Sequence, residues 1–153
     1  MTPFLLSSLL LLAPAEATPE PSRPAAGVPK PLSFASQRIP FKWDQLIPLK
    51  LEVDGVKVNS IFFNRKDVRV IRTLEFSARA QVDVSNTASK GRSPGFAVAV
   101  FDKDDRLLGV ASGGPTFGHL SAGGNGTYDL DFSKVVERLP NGAYFVLSIE
   151  LTD

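Results

Sequence analysis

From Leu74 to Asn86 the chain alternates without a break. Leu74, Phe76, Ala78, Ala80, Val82 and Val84 fall on one side, and Glu75, Ser77, Arg79, Gln81, Asp83 and Ser85 on the other. Successive side chains of a strand leave on opposite faces, so a period of two describes a strand half against a core and half in water. A helix would scatter the same residues around its circumference. The fold must therefore contain an antiparallel sheet with one covered face.

The neighbouring stretches follow the same rule. Ile47, Leu49, Leu51 and Val53 alternate with Pro48, Lys50 and Glu52, and Asp54-Gly55 then offers a two-residue hairpin turn before Val56 and Val58. The stretch GFAVAVFD is apolar on both faces, with Ala97 and Ala99 among larger residues, and reads as a central strand. DKDD turns the chain and RLLGVAS returns it; Tyr128, Leu130 and Phe132 form a further alternating set. Ser133 is placed to cap a short helical turn over residues 133–139. Pro140-Asn141-Gly142 signals a turn, and Phe145, Leu147, Ile149 and Leu151 share the inner face of a last strand. The pattern predicts an all-β chain: an immunoglobulin-like antiparallel β-sandwich of about seven strands over residues 41–153, with one short helical turn.

Two segments precede it. Residues 1–17 read as a secretory signal peptide: Phe4 to Ala13 form an apolar run too short to cross a bilayer, and Ala15-Glu16-Ala17 supplies the small-x-small cleavage pattern. Residues 18–40 hold six prolines, which remove amide donors and favour extended backbone, and read as a disordered linker. The expectation is an exported protein, periplasmic or extracellular, with no transmembrane anchor after signal removal. The chain has no cysteine, which excludes a lipid-modified cysteine, a catalytic thiol, a disulfide framework and Cys-based metal sites.

Three places invite a chemical reading. Seven of the twelve glycines and the single histidine, His119, lie between Gly109 and Asp129. A phosphate loop needs a strand–loop–helix context and a closing Gly-Lys-Ser/Thr; here no lysine occurs between Lys103 and Lys134 and another strand follows, so the stretch reads as a strand connection. One imidazole cannot build a multi-histidine metal site, and no Gly-x-Ser-x-Gly elbow accompanies it. Asp102, Asp104 and Asp105 lack the central glycine and closing glutamate of a calcium loop and read as a solvated hairpin tip. No catalytic residue, no metal ligand and no cofactor is assigned.

Lys and Arg total 17 against 16 for Asp and Glu, which gives no electrostatic case for nucleic-acid binding. The distribution is lopsided: 13 of the basic residues lie between Arg23 and Arg92, and NRKDVRVIR gathers Arg65, Lys66, Arg69 and Arg72. These four form the candidate partner surface, suited to an anionic partner such as an envelope polymer or lipid headgroup, with a solvated loop as the plainer reading; whether the partner is a protein or an envelope polymer stays open. Phe41, Trp43, Phe62 and Phe63 nearby are read mainly as core, with one of the adjacent pair Phe62 and Phe63 free to be exposed.

The features Val82-x-Val84-x-Asn86, an apolar strand ending in Asp102, a charged turn, Leu107-Leu108-Gly109 and Leu120-x-x-Gly123 resemble those of the FxLYD-type domains. These are immunoglobulin-like modules of exported bacterial and archaeal proteins. The resemblance covers residues 79–132, with Val98-Ala99-Val100-Phe101-Asp102 where the eponymous motif would stand. It implies a sandwich and a non-catalytic accessory role, and no particular ligand. LPNGAYFV also resembles the tyrosine corner of fibronectin III-like sandwiches. However, Tyr144 lies opposite the apolar set and no further strand follows to complete a corner. The function expected is binding or structural association in the envelope or outside the cell. The alternatives are a carbohydrate- or calcium-binding module and, with little support, an envelope hydrolase.

Overall fold

The computed structural model describes residues 33–70, 73–115, 118–132 and 135–152. The signal peptide and the linker as far as residue 32 lie outside them. Eight strands follow in order: β1 (Ser33–Pro40), β2 (Leu46–Val53), β3 (Val56–Val70), β4 (Thr73–Asn86), β5 (Ser93–Phe101), β6 (Leu107–Gly113), β7 (Asn125–Phe132) and β8 (Tyr144–Thr152). They form two four-stranded antiparallel sheets, a front sheet in the order β1-β8-β5-β6 and a back sheet in the order β2-β3-β4-β7. The sandwich expected from the alternating segments is the fold.

The alternation lands where the period of two puts it. Ala78, Ala80, Val82 and Val84 of β4 are fully buried, while β2 alternates exposed and buried from Leu46 to Val53. Asp54 and Gly55 both take positive φ, 43° and 82°, the backbone of a two-residue turn whose twist matches the strands it joins. Between the sheets Phe63 is the hub: its ring lies 4.7 Å from Phe41, 5.0 Å from Phe145 and 6.3 Å from Phe132. Burial of each such side chain contributes roughly 1.5–3 kcal/mol, which lets the core hold the fold without cross-links.

Strand neighbours follow the immunoglobulin plan. β4 pairs with β7 in the back sheet, while their successors β5 and β8 pair in the front sheet. This is the interlock that strands B and E make with C and F. β5 is central, as its sequence indicates, with β6 beyond it.

Two boundaries differ from expectation. The sandwich begins at Ser33, not residue 41, because Ser33–Pro40 forms β1 and pairs along its whole length with β8, from Ser33↔Leu151 to Pro40↔Tyr144. Of the six prolines only Pro40 falls in this strand, at the last position of an edge, where a missing amide costs the ladder nothing. β1 is the eighth strand and fills the place that strand G takes beside F, so a strand from the N-terminal side completes the front sheet. The helical turn is also displaced. It is a 3₁₀ turn over Leu139–Asn141, entered from Arg138 with no side-chain cap. Pro140 presets its φ, and Leu139, fully buried, anchors it. Ser133, the expected cap, lies outside the described residues. Among those residues no helix is long and apolar enough to cross a membrane.

Candidate functional site: the uncharged face of the front sheet

The two outer faces differ in chemistry. On the back sheet, charged and amide side chains are paired across strands. Lys66 reaches Asp131 at 3.2 Å, and Arg79 donates to Asn64 at 3.1 Å and Asp129 at 3.0 Å. Gln81 also donates to Asp129, and Asn59 donates to Asp83 while accepting from Ser85. These pairs make a solvated surface across β3, β4 and β7, and at its β2 edge Leu46 stands 65% exposed.

The front sheet is built differently. Its register sets Ser36, Ser148, Ala97 and Ser112 in one cross-strand row, and Arg38, Val146, Ala99 and Val110 in the next. Pro40, Tyr144, Phe101 and Leu107 form the third row. Among the described side chains of this face only Arg38 and Glu150 are charged. Val110 and Leu107 are 55% and 52% exposed, among the most exposed large apolar residues of the described chain. The small side chains of the first row, with Gly95 and Gly113, leave a shallow trough of 490 Å³ bounded by Glu150.

One end of the face is fixed by an aromatic stack. Tyr144 lies flat on Phe101, ring centroids 5.0 Å apart and planes 9° from parallel, and the Arg38 guanidinium sits 3.5 Å above the Tyr144 ring. The Tyr144 hydroxyl donates to Asp105 at 2.9 Å. Lost solvation, then that carboxylate, push the phenol above its ordinary value. Tyr144 therefore belongs to the outer face, as its parity indicates, and its partner is the tip of the β5–β6 hairpin.

That tip accounts for the aspartates. Asp102 Oδ1 accepts from the Asp104 amide at 2.8 Å and the Arg106 amide at 2.9 Å. The Arg106 amide is the main cause holding its carboxyl below the ordinary 3.8. Asp104 faces Arg106 at 4.0 Å. The three carboxylates thus serve separate partners. Among the described residues no group of three or more His, Cys, Asp or Glu is placed to hold a metal ion.

The glycine-rich stretch connects β6 in one sheet to β7 in the other, with strands on both sides. His119 is exposed, its ring against Gly91. The connection is anchored by Asn86, a buried polar residue, whose amide donates to the carbonyls of Leu120 and Ser121 within it and of Lys90 in the turn after β4.

Of the four basic residues, the side chains of Arg65 and Lys66 are described. Arg65 and Lys66 are successive on β3 and leave it on opposite sides. Lys66 joins Asp131 on the back face, whereas Arg65 lines a depression of 380 Å³ with Trp43, Asp44, Val136, Glu137 and Pro140. Arg69 is described by its backbone alone, opposite Leu74, and Arg72 lies outside the described residues. The nearly uncharged front face, with Arg38 and Glu150 its charged residues among those described, is not visible in any single segment of the sequence. Its signal in the sequence is the second apolar face of GFAVAVFD, where Ala97 and Ala99 alternate with Phe96, Val98 and Val100.

No protein-family model matches the chain, and neither a curated protein nor a solved structure is significantly similar to it.

Proposed function

We propose that this chain is an exported, non-catalytic β-sandwich module that acts by association, with the outer face of the front sheet as its contact surface. The observation that carries this reading is the contrast between the two faces. An antiparallel sheet normally presents water with a polar outer side, as the back sheet does across β3, β4 and β7, where Lys66, Arg79 and Gln81 pair with Asp131 and Asp129. A broad, nearly uncharged face with exposed Val110 and Leu107 is the kind of surface that marks an interaction site. The resemblance of residues 79–132 to FxLYD-type modules supports an accessory role for an exported domain.

The test uses a photo-crosslinking residue placed at Ala97, at the centre of the front face, or at Gln81 on the back face, in the full chain in its native host. Adducts of defined mass are expected from Ala97 only. Equal adducts from both positions, or none from Ala97, would overturn the assignment.

A second reading rests on the Trp43 depression. An aromatic ring beside Arg65, Asp44 and Glu137 has the chemistry of a sugar-binding subsite, an apolar platform rimmed by hydrogen-bonding groups. Trp43 is the chain's one tryptophan. Its fluorescence should shift on titration with envelope polysaccharide fragments if this reading holds, and stay constant if the depression is only a crease between loops.

A further inference from the structure

The two sheets have four edge strands, and three of them are guarded. β1 carries Arg38 and Pro40; β2 carries Pro48, Lys50 and Glu52; β7 carries Asp129 and Asp131. Charges and prolines on an edge discourage another strand from adding to it. β6, LLGVASG, has neither. Its inner side is tied down through Gly109 and Ala111, both buried, while Val110, 55% exposed, stands on its outer side. Among the described residues no strand pairs with its outer edge.

We propose that β6 pairs edge to edge, antiparallel, with β6 of a second copy of this chain, joining two front sheets into one eight-stranded sheet. Charge selects this occupant. Across a two-fold axis only the central residue meets its own counterpart and the others meet the mirrored position, so β7 centred on Leu130 would set Asp129 opposite Asp131 of the second copy. β6 is neutral along its length and meets no such penalty. Val110 is the middle of the seven residues, so the longest pairing sets Val110 beside Val110 of the second copy, a favourable β-branched pair. The antiparallel arrangement also keeps the charged tips at residues 102–106 at opposite ends of the joint. Backbone hydrogen bonds supply the attraction, as in other strand additions. The proposal goes beyond the module's choice of partner and does not depend on it.

Sedimentation of the full chain without its first 17 residues, at about 100 μM, well above a micromolar dissociation constant, tests it. The wild-type chain is expected to run as a dimer. Val110→Lys and, separately, Ser112→Lys should run as monomers with unchanged circular dichroism. Leu46→Lys, on the β2 edge and 65% exposed in the wild type, should remain dimeric. A monomeric wild-type chain would overturn the proposal and leave the edge to a strand from another protein. Dimers that persist in both β6 variants, or that Leu46→Lys also dissolves, would overturn it as well.

Discussion

The side-chain amide of Asn86 donates to the carbonyl of Leu120 at 3.0 Å, across a sequence separation of 34 residues. That bond, with the one to Ser121, joins the end of β4 to the crossing that leads into β7, while a third to Lys90 holds the turn between β4 and β5. The Asn86 Oδ1 closes the group by accepting from the Ala88 amide at 2.9 Å. An asparagine suits the position because it offers two donor hydrogens and an acceptor on one short stem. Asn86→Ala should remove all three bonds, leaving the Leu120 and Ser121 carbonyls only their backbone donors from Arg92 and Gly124, and cost about 1–3 kcal/mol in urea unfolding. Hydrogen exchange should quicken in residues 87–92 and 118–124. A loss under about 0.5 kcal/mol, the range of an ordinary surface change, would show that the bonds are ornamental.

Gly109 offers a second probe. A Cβ built there would lie 2.9 Å from a Val135 methyl and 3.1 Å from the Phe132 ring, with Leu139 at 3.3 Å behind them. Gly109→Ala should therefore overpack the space between the sheets and lower stability by about 1–3 kcal/mol. The control is Gly118→Ala, where space is open and strain comes only from its φ of 78°. Urea melts in which Gly109→Ala is neutral would mean that Val135 moves aside freely.

The N-terminal boundary makes a third. Ile39 is buried, and β1 covers the edge of β8 along eight paired positions. A chain begun at Ser33 should fold cooperatively, whereas one begun at Phe41 should lose its two-state melt or aggregate through the bared β8 edge. Equal melting temperatures for the two chains would remove β1 from the stable fold.

Asp102 supplies a pH test. Hydrogen bonding from the Arg106 amide, chiefly, lowers its folded pKa below the ordinary 3.8. The unfolded chain therefore takes up the proton first as pH falls. The contribution is present above about pH 4 and fades as pH drops through the lower folded value. Asp102→Asn keeps an acceptor for the turn but has no charge to lose. The stability gap between wild type and Asp102→Asn should be widest at neutral pH and shrink by pH 2–3. A gap independent of pH would show that the charge contributes nothing.

The fold was legible wherever one face met water and the other met the core. β4 and β2 announced themselves through alternation, and Asp54-Gly55 through the positive φ that few other residues accept. β1 was missed because an edge strand is asked for little. Ala35 and Ile39 are its apolar contribution to the core, and the prolines upstream disguised where the extended segment joins the sheet. In the basic run, neighbours in sequence are opposites on a strand, so Arg65 and Lys66 leave β3 on different sides. The front face was harder to read, since its rows are assembled from four strands that are distant in sequence. Ala97 and Ala99 gave the one hint, and small apolar residues look the same whether they lie under another layer or stand open.

β1 fills the place of a final strand, and this decides how the domain responds to pulling. Ser33 and Leu151 are directly paired, so the first and last described strands meet at one end of the front sheet. Tension applied at those two points would load the β1–β8 ladder one rung at a time, beginning at Ser33, instead of shearing all its rungs together. A zipper of this kind parts at low force. As a link in a stretched chain the domain would open early, and it would lose first the strand that closes its front sheet.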